Sequence, residues 1–279
     1  MIDTINVPSA ELITEHRQSH LINIGTTVKN TLTLAYRSWL KMVHNPEMFM
    51  EIALLPVIMT LSFALLFGGA ISGSTENYLP LIIPGILVMC CAMGCSAAGT
   101  QLREDMSKGI TKRLASLPIS RIAPVAGMLI TDMTRYAIVS VIVFALGFAM
   151  GYRPEAGIIA VLGCIGFMTI TAWCLSWVFA FVGVSSKSVS SAATIGNVVM
   201  FPLAFLSNAL VPVDTLPSWL QWFAVHVNPL SYVVTAMRDM LSGTIGPEFW
   251  FALIGAVIIV AVFAPLTMHA YTRKTYRLA

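Results

Sequence analysis

Hydrophobic side chains run along this chain in blocks of roughly 20 residues or more, the length a helix needs to cross a hydrocarbon layer about 30 Å thick. Short clusters of Lys and Arg divide the blocks. Six of them, at about 52–71, 78–99, 124–150, 157–182, 192–211 and 249–268, predict six transmembrane helices. Inside lipid a backbone N–H or C=O has no water to bond, so a crossing segment must close its hydrogen bonds on itself, as a helix does. The fold class is therefore all-α, a polytopic membrane protein.

The window 215–237 is also free of charge, but Pro217, Ser218, His226, Asn228, Pro229 and Ser231 interrupt it. Its Trp219 and Trp222 suit the headgroup region. A seventh crossing there would put the two termini on opposite sides. The window is predicted instead as a re-entrant hairpin on the outer face between the fifth and sixth helices, tolerated where protein or water surrounds it. With six crossings, one side holds Arg17, Lys29, Arg37, Lys41, Arg103, Lys108, Lys112, Arg113, Arg121, Lys187, Arg273, Lys274 and Arg277, and the other only Arg153 and Arg238. The positive-inside rule puts both termini in the cytoplasm.

Before the first crossing the period changes. Val28, Leu32, Ala35, Trp39, Met42 and Val43 share one face at about 100° per residue, and Lys29, Asn30, Arg37, Lys41 and His44 point away. This is an amphipathic interface helix over 28–47 along the inner leaflet, which Asn45 and Pro46 end or turn into the bilayer. Residues 1–27 are expected as a flexible cytoplasmic N-terminus. With Asp3, Glu11 and Glu15 they lack the order of a cleavable signal peptide. Residues 48–276 form the transmembrane domain.

Composition narrows the function. With 57% hydrophobic and 10% charged residues and a mean hydropathy of +0.82, a soluble core would leave apolar surface uncovered. The 16 Lys and Arg form no basic stripe, so nucleic acid is not expected as a partner. Cys90, Cys91, Cys95, Cys164 and Cys174 all fall in apolar blocks, where they pack as small hydrophobes.

No HExxH, GxSxG or GxxxxGK[ST] occurs, and the nearest approach, GVSSKS at 183–188, lacks the second glycine. No catalytic, cofactor-binding or metal-ligating residue is assigned, and the chain is not expected to bind nucleotide itself. Asp132 and Arg135 form the one i,i+3 charge pair within a crossing, a functional candidate by position and a structural pair snorkelling to the interface in the blander view. The segment 101–121, QLREDMSKGITKRLASLPISR, gathers Arg103, Glu104, Asp105, Lys108, Lys112 and Arg113 around Gly109, followed by Leu114, Leu117 and Pro118. Such a short amphipathic helix can present charge to a protein and its apolar side to the bundle.

Four stretches then carry a resemblance: PVIMTLSFALLFG at 56–68, YLPLIIPGILVM at 78–89, the REDMSKGITKRLASLPISR segment running on to Gly127, Asp132 and Arg135, and 201–243 with FPLAFLSNALVPVDTLPSWLQWF and VNPLSYVVTAMRDMLSG. Together they resemble the permease subunits of the ABC-2 type transporter family, especially its daunorubicin-resistance and nodulation-export branch. The resemblance implies two permease chains, here a homodimer, working with two separate ATPase chains that carry ATP and Mg. It implies that 101–121 is the coupling segment, that the helix with Val28, Leu32, Arg37, Trp39 and Lys41 rests on the ATPase, and that the hairpin with Pro212, Pro217, Trp219, Trp222, Pro229 and Arg238 seals the outer end. Asn208 stands where the family usually has a small residue.

A bundle with no ATP site and no chain of Asp, Glu or His across the bilayer needs energy from outside, and a charged cytoplasmic segment is where it could enter. Phe63, Met89, Phe144, Phe201 and Phe205 are the candidate walls of an outward path for hydrophobic or lipid-like cargo, in contact with membrane lipids of a bacterial inner membrane. Export of a lipid-linked polysaccharide is the alternative. A membrane-embedded lipid-modifying enzyme would need more than Asp132 and Arg135 at bilayer depth, and a channel would need a ring of carbonyls or charges.

Overall fold

The computed structural model describes residues 24–115, 120, 122–210 and 217–276. Residues 1–23, Leu117, Pro118, Arg121, Pro212 and Arg277 lie outside that description, as do the side chains of Lys41, Lys112 and Trp219. Among the described residues are ten helices and no strand: α1 (Ile24–Val43), α2 (Pro46–Ser72), α3 (Thr75–Ser107), α4 (Ile110–Ala115), α5 (Ala123–Ala149), α6 (Gly157–Ser185), α7 (Val189–Phe205), α8 (Ser218–His226), α9 (Pro229–Ser242) and α10 (Pro247–Tyr276). Five of them, α2, α3, α5, α6 and α10, are long and apolar enough to cross a membrane, and α7 is a shorter apolar helix. The chain is thus the polytopic helical bundle that its hydropathy predicts.

The bundle is built around α3. In its most apolar window 78% of residues are buried, against 11% for α10, so α3 is the axis and α10 the rim. It packs against α2, α5, α6, α7 and α9. With 33 residues it is about 50 Å long, well beyond the hydrocarbon core, so one rod joins both membrane faces. Its length exceeds the expected 78–99 because 100–107 continues the helix. Lys108 then donates its N–H to the Glu104 carbonyl at 2.9 Å, and Gly109, at φ +72°, supplies the left-handed turn that other residues resist.

Small residues let the helices touch through their backbones. A methyl group built on Gly99 would overlap the Phe179 carbonyl, and one on Gly183 would overlap the Gly99 carbonyl, so α3 and α6 meet backbone to backbone. Gly85 presses in the same way on the carbonyl of Ala209, in the turn after α7. Near the α1 end of the bundle, Gly127 of α5 sits under Thr31 and Ala35 of α1, and the Thr131 hydroxyl donates to the Ala35 carbonyl at 2.9 Å.

Two expectations change. The fifth crossing, read over 192–211, is helical only to Phe205, and Leu206–Leu210 leave the helix with Ser207, Asn208 and Ala209 buried. Pro202 sits in the last turn and Leu206 closes the helix on the Pro202 carbonyl at 2.8 Å. The apolar face of α1 also splits. Ala35 and Met42 turn inward with Thr31, whereas Val28, Leu32, Tyr36, Trp39 and Val43 form an exposed stripe. The small side chains face α5 because close approach demands them, and the large ones are left for another apolar phase.

Gly99→Ala and Gly183→Ala should each lower the melting temperature of the purified protein in detergent, at an overpacking cost of about 1–3 kcal/mol. Gly255→Ala, where no atom lies within 4 Å of an added methyl, should leave it unchanged; equal melting of all three would contradict the close α3–α6 contact.

Candidate functional site

Three polar constructions interrupt the apolar bundle. At one end of the bundle the unwound stretch after α7 leaves backbone groups that no helix satisfies, and side chains of α3 and α9 take over that task. Arg238, on α9, donates from Nη2 to the carbonyls of Asn208 at 2.9 Å and Ala209 at 3.3 Å. It also reaches the Leu81 carbonyl of α3 from Nη2 at 2.8 Å and Nε at 3.3 Å. The Tyr78 hydroxyl donates to the Leu210 carbonyl at 2.7 Å. Asn208 donates from Nδ2 to the Thr235 hydroxyl at 2.9 Å, and Asn228, which caps α9 by accepting from Leu230 N at 3.0 Å, donates to the Leu203 carbonyl at 2.7 Å.

Non-helical backbone survives at membrane depth only when protein satisfies it. Arg238 does so with carbonyls alone, and no carboxylate pairs with it among the described residues. Its sequence neighbour Asp239 lies instead near Glu248; burial first, and then that second carboxylate, push the Asp239 carboxyl above the usual range. Of the other hairpin residues predicted as the seal, Pro217 starts α8 and Pro229 starts α9. Trp222 stacks on His226 with ring centroids 5.7 Å apart and stays exposed.

The second construction is the charge pair. Asp132 Oδ1 lies 3.1 Å from Arg135 Nη2, with side-chain exposures of 6% and 11%. The pair therefore does not snorkel. It sits inside the bundle, where Arg135 Nη2 donates to the Gly94 carbonyl of α3 at 2.5 Å and its guanidinium lies 5.5 Å from the Tyr136 ring centre. Tyr136 in turn shares a 2.6 Å hydrogen bond with Ser176 of α6. Asp132 Oδ2 and Arg135 Nε keep no hydrogen-bond partner. A cavity of about 90 Å³ lined by Ile52, Pro56, Cys90, Gly94, Arg135 and Val139 adjoins them, room enough for water.

The third is the elbow formed by the end of α3, Gly109 and α4. Arg103, Glu104 and Asp105 ride on the last turns of α3, so the segment read as one short amphipathic helix is a helix end, a glycine turn and a six-residue helix. Glu104 pairs with Lys108 at 2.5 Å, and that hydrogen bond raises the Lys108 ammonium pKa above its ordinary value. Arg103 Nη2 donates to the Lys187 carbonyl at 2.5 Å, tying α3 to the α6–α7 turn. Thr111 of α4 is buried, Leu114 half-buried and Arg113 exposed. Gln101, Asp105, Thr111 and Leu114 share a crevice of about 60 Å³ with Arg37 of α1 and Tyr271 of α10. The structure thus joins the 101–114 segment and the α1 helix at one surface.

The five candidate path residues do not converge. Met89 and Phe144 are core residues, whereas Phe201 and Phe205 stack in parallel on the outward face of α7 with centroids 5.7 Å apart, and Phe63 stacks on Phe67 at 5.4 Å. Sequence reading missed Lys274, whose Nζ donates to the Val184 and Ser185 carbonyls at 2.6 and 3.0 Å and so caps the C-terminus of α6. It also missed an apolar cavity of about 180 Å³ between α3, α6, α9 and α10, lined by residues such as Ala92, Met168, Leu230, Tyr232 and Phe251. Neither has a local sequence signal.

Arg238→Gln should destabilise the purified protein by about 2 kcal/mol, the scale of lost charge-assisted hydrogen bonds to buried acceptors. Arg135→Met should cost about 3–5 kcal/mol by stranding a buried carboxylate. Adding Asp132→Asn to it should restore part of that loss in thermal melts, and an additive double variant would refute the pairing.

The sequence profile of the ABC-2 type transporter family matches residues 29–242, from α1 through the end of α9. The chain is 36% identical over 253 residues to the daunorubicin resistance ABC transporter permease protein DrrB1 of Streptomyces coeruleorubidus, covering 90% of this chain and 88% of that one. It is 26% identical to the probable doxorubicin resistance ABC transporter permease protein DrrC of Mycobacterium tuberculosis, over 67% of this chain and 68% of the relative. A putative transport permease, ycf38, of Cyanophora paradoxa is 25% identical over 77% of this chain and 75% of its own length.

Proposed function

The chain belongs to the ABC-2 type transporter family, and from that premise we propose how its three polar constructions divide the work of an ATP-driven exporter. It is a membrane-embedded permease subunit whose partner is an ATP-binding subunit. One observation carries the mechanistic reading: α3 is a single buried rod whose inner end is the charged elbow at Glu104 and Lys108 and whose outer end holds Leu81, to which Arg238 is bound.

In this reading the ATPase seats on the elbow. Arg103, Glu104, Asp105, Lys108, Lys112 and Arg113 offer it charge, Gly109 the turn, and Leu114, Leu117 and Pro118 the apolar contact. Val28, Leu32 and Trp39 of α1 anchor the same surface in the lipid of the inner leaflet, and Arg37 and Lys41 belong to the side that meets the ATPase. Displacement of the elbow moves α3 as a unit, because backbone-to-backbone packing leaves it no independent play. At the far end that motion loads the Leu81–Arg238–Asn208 bonds that hold the hairpin closed. Cations are sparse on the hairpin side, which supports an outer location for it and cytoplasmic termini in a bacterial inner membrane.

A homodimer is supported by the outward face of α7. Ser190, Thr194 and Asn197 lie exposed there, below Phe201 and Phe205. Polar groups aimed at hydrocarbon are costly, so this face belongs against a second copy along a partly hydrated path. Aromatic walls beside amide and hydroxyl groups suit an amphipathic cargo, a drug-like molecule of the kind named for the daunorubicin and doxorubicin relatives.

The combined variant Glu104→Ala, Arg113→Ala should insert normally and abolish substrate-stimulated ATP hydrolysis in the reconstituted complex; full stimulation would overturn the coupling role. Ser218→Cys should react with a membrane-impermeant maleimide from outside intact cells, and labelling only from the cytoplasmic side would reverse the topology.

A further inference from the structure

Only two basic residues fall on the side assigned as external, Arg153 and Arg238, and both line one cavity of about 420 Å³. They are 85 positions apart in sequence. The turn between α5 and α6 brings Arg153, and the last turns of α9 bring Arg238; the first turns of α3 close the wall with Asn77, Pro80 and Leu81. Neither guanidinium is fully used. Arg153 donates only from Nη1, to the carbonyls of Phe148 at 3.1 Å and Tyr152 at 2.9 Å, and Arg238 only from Nε and Nη2. Among the described residues the remaining N–H groups, including both on Arg238 Nη1, have no protein acceptor. The positive-inside rule disfavours cations on this face, so two of them converging on one opening require a use beyond solubility.

The rest of the lining narrows the ligand. Ser242 and Asn77 add uncharged hydrogen-bonding groups, and Pro80, Leu81, Tyr152 and Leu241 add apolar surface. Glu155 is the one carboxylate on the wall, so the cavity carries a net excess of one positive charge. Guanidinium forks bind phosphate oxygens in pairs. Two guanidinium groups beside uncharged polar groups and apolar side chains in one lining match a molecule with an anionic head and a greasy body. We propose that this vestibule is an anion subsite for the phosphodiester head group of a lipid at the outer surface, with Arg153 the freely available arm and Arg238 both ligand and strut. A lipid held there would rest against Leu81 and the hairpin, beside the Arg238 bonds of the outer seal.

The proposal rests on the membrane orientation given above, and its test separates the two. Asn77→Cys, an exposed position on the cavity wall, would be placed in the permease–ATPase complex in nanodiscs, and its labelling rate by an impermeant maleimide measured. Ile245→Cys, 68% exposed and absent from the lining, normalises for surface charge. Phosphatidylglycerol in place of phosphatidylcholine should slow Asn77→Cys labelling about fivefold, the scale of one arginine at an anionic membrane surface. Arg153→Gln should remove that protection and Glu155→Gln should keep or deepen it. Protection by inorganic phosphate in phosphatidylcholine discs, without protection by phosphatidylglycerol, would overturn the lipid assignment in favour of a soluble anion. Equal rates under all conditions, or protection surviving Arg153→Gln, would overturn the subsite itself. In intact cells, failure of Asn77→Cys to react from outside would overturn the orientation alone, because a nanodisc exposes both faces.

Discussion

The backbone contact between α3 and its neighbours is the constraint on which the bundle depends. Gly99 and Gly183 bring two helices together with no side chain between them, and Gly85 does the same against Ala209. In lipid the hydrophobic effect cannot drive helices together, since acyl chains are as apolar as leucine, and what remains is dispersion at close range and hydrogen bonding. Close approach therefore selects small residues along α3, and it makes that helix a stiff element enclosed on all sides. A 33-residue rod held this tightly can carry displacement from one membrane face to the other.

That same closeness creates a polar problem at the Leu81 end of α3, and the solution shapes the candidate site. The helix α7 ends at Phe205 with Pro202 in its last turn, and the segment Leu206–Leu210 follows as a turn with Ala209 against Gly85, outside any helical ladder. Its carbonyls are taken up by Arg238 and Tyr78. A cation that binds carbonyls rather than a carboxylate keeps its charge while serving a structural end, and Arg238 also lines the cavity that it shares with Arg153. The Asp132–Arg135 pair is the opposite arrangement, an internal neutralisation that ties α5 to the Gly94 carbonyl of α3.

Much of this was legible beforehand. Block length and hydropathy identified the long helices, the proline at 46 marked the start of α2, and the interrupted window near 217–231 became the α8–α9 pair. The charged cluster around Gly109 was also readable, but as one short amphipathic helix; the left-handed turn at Gly109 that divides it was not. Less visible were the end of α7 at Phe205 and the continuation of α3 to Ser107. Both depend on partners distant in sequence: the α7 end on Gly85 and Arg238, the α3 extension on Lys187 and the crevice that Tyr271 shares. Periodicity on α1 found an apolar helix but merged its two faces, since small and large apolar residues count alike in a pattern and differ only when another helix comes close.

The sequence by itself determined that this chain lives in a bilayer as a set of long apolar helices, that it carries no nucleotide-binding or catalytic motif, and to which family it belongs; it read six crossings where five helices are long enough to span and α7 is shorter. Those properties follow from local composition and spacing, which lipid reads one segment at a time. Tertiary structure alone decided that Arg238 serves the carbonyls of an unwound turn, that Asp132 and Arg135 are sealed inside, and that Arg153 shares a cavity with Arg238. Each of these joins groups on different helices, and in a membrane the pairing of polar groups is set by which helices can approach closely enough to exclude lipid.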